Sequence, residues 1–191
     1  MTSTTFCFQQ TNNYREKGMR LENKSVGILV ENDYQELEFW YPYLRLQEEG
    51  VIPLVIGHHK TVYKSKLGYE VEADVASKEV LQQTFDAIII PGGYAPDKMR
   101  THTSMLQLVK TNYENGSVIA AICHAAWVLS SAGILKGKNA TCYHSIKDDI
   151  INAGANYSDE PVVVDGNLIT SRQPFDLPAF CTAIINELSD K

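Results

Sequence analysis

Cysteine is scarce and unpatterned in this chain: Cys7, Cys123, Cys142 and Cys181 are spread over 191 residues and no two form a Cys-x-x-Cys pair. That excludes a disulfide framework. The N-terminus has no apolar signal core and no apolar run is long enough to cross a bilayer, so a cytoplasmic setting with reduced thiols is expected. Basic residues are outnumbered, 17 Lys and Arg against 23 Asp and Glu, for a net charge of -6. A chain of that sign has poor electrostatic footing on nucleic acid or an anionic membrane, which leaves a small molecule, a small peptide or another protein as partner. Internal repeats, low-complexity tracts, the Gly-x-Gly-x-x-Gly fingerprint and the phosphate-loop spacing are also missing, so no nucleotide and no other cofactor is predicted.

What is present is a hydrophobic fraction of 44%, enough for one domain of ordinary size with a substantial core. Residues 1–24 are polar without a sustained apolar period and are expected to be a flexible extension. A transit segment, or a true start at Met19, is the alternative. From Ser25 onward strands and helices alternate. Strands are predicted at 25–30, 52–56 and 85–90, a hairpin across Gly68, and short strands at 139–142 and in the Asp165-Gly166 hairpin. Helices are predicted at about 36–49 with apolar Leu37, Tyr41, Leu44 and Leu46, at 96–113, at 146–153 and at 174–188. This alternation indicates one α/β domain over 25–191, an open and mostly parallel sheet with helices on both faces and ligands beyond the carboxyl ends of its strands.

The stretch with chemistry is Ser117 to Leu129. It begins as an uncharged β-branched strand and becomes Ala-rich helix with no turn residue between, and the only polar side chains at the changeover are Cys123 and His124. That is the pattern of a nucleophile elbow, where the thiol meets the free N–H groups and positive dipole end of the next helix, a setting that favours an exposed thiolate. A buried, inert cysteine beside a surface histidine is the plainer alternative. Pro91-Gly92-Gly93 ends a second strand and can present bare N–H groups, so Gly92, Gly93 and the His124 N–H are the candidate oxyanion hole; any tight strand exit also uses glycines. Cys142 and His144 could approach the elbow, but two short Cys/His pairs are thin support for zinc and no metal is predicted. His58 and His59 read as a solvated loop, and Asp148-Asp149 as a solvated helix face.

Lys24 to Leu188 resembles the ThiJ/PfpI superfamily, most closely its PfpI-like peptidase and general-stress branch. The resemblance is carried by Glu38-Phe-Trp-Tyr-Pro-Tyr43, Gly68-Tyr69, Pro91-Gly-Gly93 with Ala95-Pro-Asp97, Ala121-Ile-Cys-His124, Ser131 to Gly137, Ile146-Lys-Asp-Asp149 and Val162 to Asn167 with Ser171-Arg172. It implies a flavodoxin-like three-layer sandwich that forms homodimers or hexamers. It also implies Cys123 as nucleophile, His124 as its histidine, and Asp97 as the carboxylate that orients His124 from across the dimer interface; Asp97 as a simple helix cap is the alternative. Tyr143 matches a pocket tyrosine, a position core packing explains equally well. The acidic residue beside the family's thiol aligns on Gln35, or on Glu36 if the register slips by one. A glutamine there cannot shuttle a proton, so deglycase or glyoxalase III chemistry is expected to be weak.

The functions in play are therefore a cysteine-dependent hydrolase or lyase on small substrates, a redox or stress sensor that oxidises Cys123, and a family member without catalysis.

Overall fold

The structure, a computed structural model, describes residues 20–190. The expectations placed on residues 1–19, Cys7 and Met19 among them, lie outside the described residues.

In chain order the strands are β1 (Val26–Val30), β2 (Leu54–Gly57), β3 (Val62–Lys64), β4 (Glu70–Glu72), β5 (Val75–Ala76), β6 (Ala87–Ile90), β7 (Val118–Ile122), β8 (Asn139–Ala140), β9 (Asn156–Tyr157), β10 (Val162–Asp165) and β11 (Leu168–Ser171). The helices are α1 (Glu36–Glu48), α2 (Ala95–Met99), α3 (Thr103–Glu114), α4 (Ala126–Ala132), α5 (Lys147–Asn152) and α6 (Leu177–Ser189). The main sheet runs β10-β11-β7-β6-β1-β2-β5. Every pairing in it is parallel except β10 with β11. Strands β1, β6 and β7 are buried along their whole length, as uncharged runs in a sheet covered on both faces must be. This is the open, mostly parallel α/β sheet that the alternation predicts and the flavodoxin-like sandwich that the resemblance implies, and it brings the ends of β1, β6 and β7 side by side.

Local departures have identifiable causes. The single helix expected over 96–113 is two, α2 and α3, with His102 in extended conformation at the N-cap of the second. Helix α1 has the expected bounds, but of its apolar Leu37, Tyr41, Leu44 and Leu46 only Leu46 is buried, beside Glu38, Phe39 and Pro42, while Leu37, Tyr41 and Leu44 are 56%, 38% and 53% exposed. Counting apolar residues misassigned this helix because its inward stripe contains a carboxylate and a proline. Leu21, within the predicted flexible extension, is fully buried and donates its N–H to the Glu49 carbonyl at 3.1 Å. No helix among the described residues is long and apolar enough to cross a membrane.

Candidate active site

Strand β7 ends at Ile122, and Cys123 turns the chain with a φ of 63°, in the left-handed region where a side chain costs about 1–2 kcal/mol. A short 3-10 turn, Cys123–Ala125, then leads into α4. The elbow read from the sequence is therefore present, with its strain. The Cys123 Sγ lies 3.2 Å from His124 Nδ1, and His124 Nε2 lies 3.2 Å from the Ser145 Oγ. Both open onto a cavity of about 380 Å³ that Gln35, Glu38, Lys66, Tyr94 and Tyr143 help to line. The Tyr143 N–H donates to the Cys123 carbonyl at 3.3 Å, and its ring centroid sits 4.9 Å from that of His124.

The carboxyl group beside the sulfur is Glu38, which corrects the sequence reading. Gln35 does line the cavity, but its side-chain oxygen is occupied as the N-cap of α1, accepting from the Glu38 N–H at 3.0 Å. One turn further on, Glu38 projects from the inner face of α1 to the ends of β6 and β7 and is fully buried. Its Oε2 accepts the Gly92 N–H at 2.8 Å; its Oε1 is buried without an N–H or O–H partner, and the carboxyl faces the Cys123 sulfur. Gly92 has to be glycine for this contact, because a Cβ there would lie 2.5 Å from Glu38 Oε2 and 2.7 Å from Cys123 Cβ. Glu36, the other residue considered, faces away and accepts from the Leu67 N–H at 2.6 Å. Glu38 was missed because a glutamate in a helix's apolar stripe reads as solvent-facing. Its sequence signal was its place one residue before Phe39, on the face that Phe39, Pro42 and Leu46 share.

The oxyanion hole also changes. The Gly92 N–H is committed to Glu38, so it cannot receive a developing charge. The N–H groups of His124 and Gly93 point at the sulfur and favour its anion. Gly93 holds a φ of 81° that puts its backbone against the loop carrying Asp33 and Gln35.

The exposed, readily ionised thiolate expected at the elbow is not what the surroundings give. Cys123 is only 7% exposed, and burial, followed by the Glu38 carboxylate, pushes its ionisation up. Burial also raises Glu38 to about 7, against the backbone bond from Gly92 and the thiol, which lower it. The two groups form one coupled acid pair, and the push of Glu38 on the sulfur exists only while Glu38 is ionised. His124 is held below the ordinary histidine value by burial, then by Lys66 and His144, so it is neutral at neutral pH and able to accept a proton.

Asp97 does not meet His124 within one chain. It lines a separate cavity of about 470 Å³ with Glu31, His58 and His102. His58, expected in a solvated loop, is stacked on His102 with centroids 3.8 Å apart, and His102 Nε2 pairs with Glu31 Oε2 at 3.3 Å. Rings stacked in parallel aim their nitrogens side by side rather than at one point, and no three His, Cys, Asp or Glu among the described residues are placed to hold a metal. Cys142 is buried, and Asp149 is not merely solvated, since it accepts the Trp127 indole N–H at 2.7 Å.

Comparison with known proteins agrees with this architecture. The model of the DJ-1/PfpI family matches residues 24–187. Deglycase PfpI of Pyrococcus furiosus is 40% identical over 163 residues, 85% of this chain and 98% of that protein. The crystal structure of a protein from Anabaena variabilis with DJ-1/ThiJ/PfpI-like and ferritin-like domains superposes with a TM-score of 0.84 at 43% identity. The match covers 86% of this chain and 48% of the two-domain protein, so this chain spans about half of its length. Drosophila melanogaster DJ-1beta superposes with a TM-score of 0.81 at 31% identity, over 88% of this chain and 91% of that one.

Proposed function

The chain belongs to the DJ-1/PfpI family, and from that premise we propose that it is a cysteine-dependent enzyme acting on small reactive carbonyl compounds, with glyoxalase III and deglycase-type chemistry. The observation that carries this reading is the buried Glu38 carboxyl against the Cys123 thiol, the acid–base partner that Gln35 could not supply. The resemblance to proteins named deglycase supports it. The cavity of about 380 Å³ suits a few heavy atoms better than a polypeptide.

For a 2-oxoaldehyde the steps balance without a cofactor. The Cys123 sulfur adds to the aldehyde carbon and the thiol proton passes to the aldehyde oxygen, giving a hemithioacetal. A base removes the hydrogen from that carbon, and an acid returns a proton to the neighbouring one. The first carbon is thereby oxidised to a thioester as the second is reduced to an alcohol. Water then hydrolyses the thioester to a 2-hydroxy acid and restores the thiol. Glu38, with a pKa of about 7, is matched to proton transfer at neutral pH, and His124, held below the ordinary histidine value, stands beside the thiol as a neutral base. The N–H groups of Gly93 and His124 steady negative charge at the sulfur. The family resemblance assigns Asp97 to a partner subunit's His124; within its own chain it lines the other cavity.

The test is methylglyoxal consumption with lactate as product. Wild type should form lactate and Cys123→Ser should form none above background; equal rates would end the enzyme reading.

A further inference from the structure

Resting on that reading, we propose a substrate class: 2-oxoaldehydes that carry a carboxylate arm, received by the ammonium of Lys66 at the cavity mouth while the aldehyde carbon reaches Cys123. Lys66 is the one lysine or arginine among the residues lining this cavity. Its charge is felt by Glu36, whose ionisation it lowers, but without a direct pairing of the two side chains. It forms no ion pair among the described residues, and its Nζ lies 5.2 Å from the centroid of the Tyr94 ring, another cavity wall. The nearest acid on the outer side, Glu36, is already held by the Leu67 N–H and the Ser65 hydroxyl. The ammonium reaches the reacting groups electrostatically, lowering both Glu38 and His124.

The base of this side chain is fixed. The Lys66 N–H donates to the Tyr34 carbonyl at 3.0 Å, on the segment that leads into Gln35 and α1. The Ser65 N–H donates to the Tyr69 carbonyl at 2.8 Å, the Tyr69 N–H donates to Ser65 Oγ at 2.8 Å, and Gly68 closes the turn with a φ of 91°. A flexible stem on an anchored turn, over an aromatic ring, lets the ammonium follow a carboxylate arm on the substrate. Such a substrate, 4,5-dioxopentanoate, would take up one water and leave as 2-hydroxyglutarate, its aldehyde oxidised to an acid and its ketone reduced to an alcohol.

The first experiment needs no turnover. Cys123 in the full-length chain is alkylated at one pH with iodoacetate and with iodoacetamide and followed by peptide mass. The ratio of the two rates cancels the fraction of thiolate and reports only the preference for an anionic reagent. Lys66→Gln should lower the ratio about fivefold. Lys66→Arg should restore most of it, and Lys110→Gln, the same charge change at a lysine that does not line the cavity, should leave it at the wild-type value. A ratio untouched by Lys66→Gln overturns the inference. In the second arm, kcat/KM for 4,5-dioxopentanoate relative to methylglyoxal should fall by a similar factor in Lys66→Gln, through KM. If the alkylation ratio responds but neither oxoaldehyde is consumed, it is the proposed activity that fails, and anion capture by Lys66 stands.

Discussion

At the scale of single residues, Cys123 bears a backbone cost and Glu38 an electrostatic one. Replacing Cys123 by Ala keeps the left-handed φ of 63° under a Cβ, whereas Gly relieves it. Cys123→Gly should therefore be more stable than Cys123→Ala by about 1 kcal/mol in denaturant unfolding, although glycine also loosens the unfolded chain. For Glu38 the folded pKa of about 7 lies above the ordinary glutamate value of 4.5. A group raised on folding contributes its stability in full below the unfolded pKa and loses it as pH rises through the folded one. Wild type should thus lose about 3 kcal/mol from this residue between pH 4.5 and pH 7. Glu38→Gln should flatten that part of the stability profile, read from urea midpoints at a series of pH values. Cys123 and His124 were legible because two polar residues interrupt an otherwise apolar strand-to-helix junction. Glu38 was not, since a sequence shows a charge but not the burial that raises its pKa.

Among the elements, the central strands could be read directly. The runs at 26–30, 87–90 and 118–122 hold no charge, and a sheet covered on both faces has no other place for them. Helix faces were less legible. The inward side of α1 is set by what the ends of β6 and β7 require, a carboxyl that reaches the Gly92 N–H, and not by the count of leucines. His102, where the helix breaks, pairs with Glu31 at the end of β1, a contact between residues far apart in the chain. The junction of β6 with its loop can be tested at Gly92. A methyl group there must displace Glu38 or Cys123, so Gly92→Ala should reduce methylglyoxal turnover at least tenfold and destabilise the fold by about 1–3 kcal/mol, checked by lactate assay and thermal unfolding.

At the scale of the whole molecule, one cavity of the chain brings together the thiol, the buried acid and the histidine, while Asp97, proposed to orient that histidine, lines another. The alternation of elements made the sandwich legible. It could not show that Asp97 and His124 open into different cavities of the same chain. Leu37, Tyr41 and Leu44 leave an apolar stripe on the outside of α1. If Asp97 is donated between subunits, Cys123→Ser and Asp97→Asn should each be inactive alone. Mixed and reassembled as dimers they should recover about a quarter of wild-type turnover, since half of the dimers are mixed and each mixed dimer has one intact site. No recovery after verified exchange would place Asp97 outside the catalytic machinery.

The account turns on Glu38 as the proton carrier beside Cys123. Methylglyoxal turnover of Glu38→Gln and Gln35→Glu, measured against wild type at neutral pH, addresses it most directly. Glu38→Gln should lose about a hundredfold or more in kcat, and Gln35→Glu should change little, because that position caps a helix and carries no proton. Wild-type turnover in Glu38→Gln, or a large gain in Gln35→Glu, would contradict it.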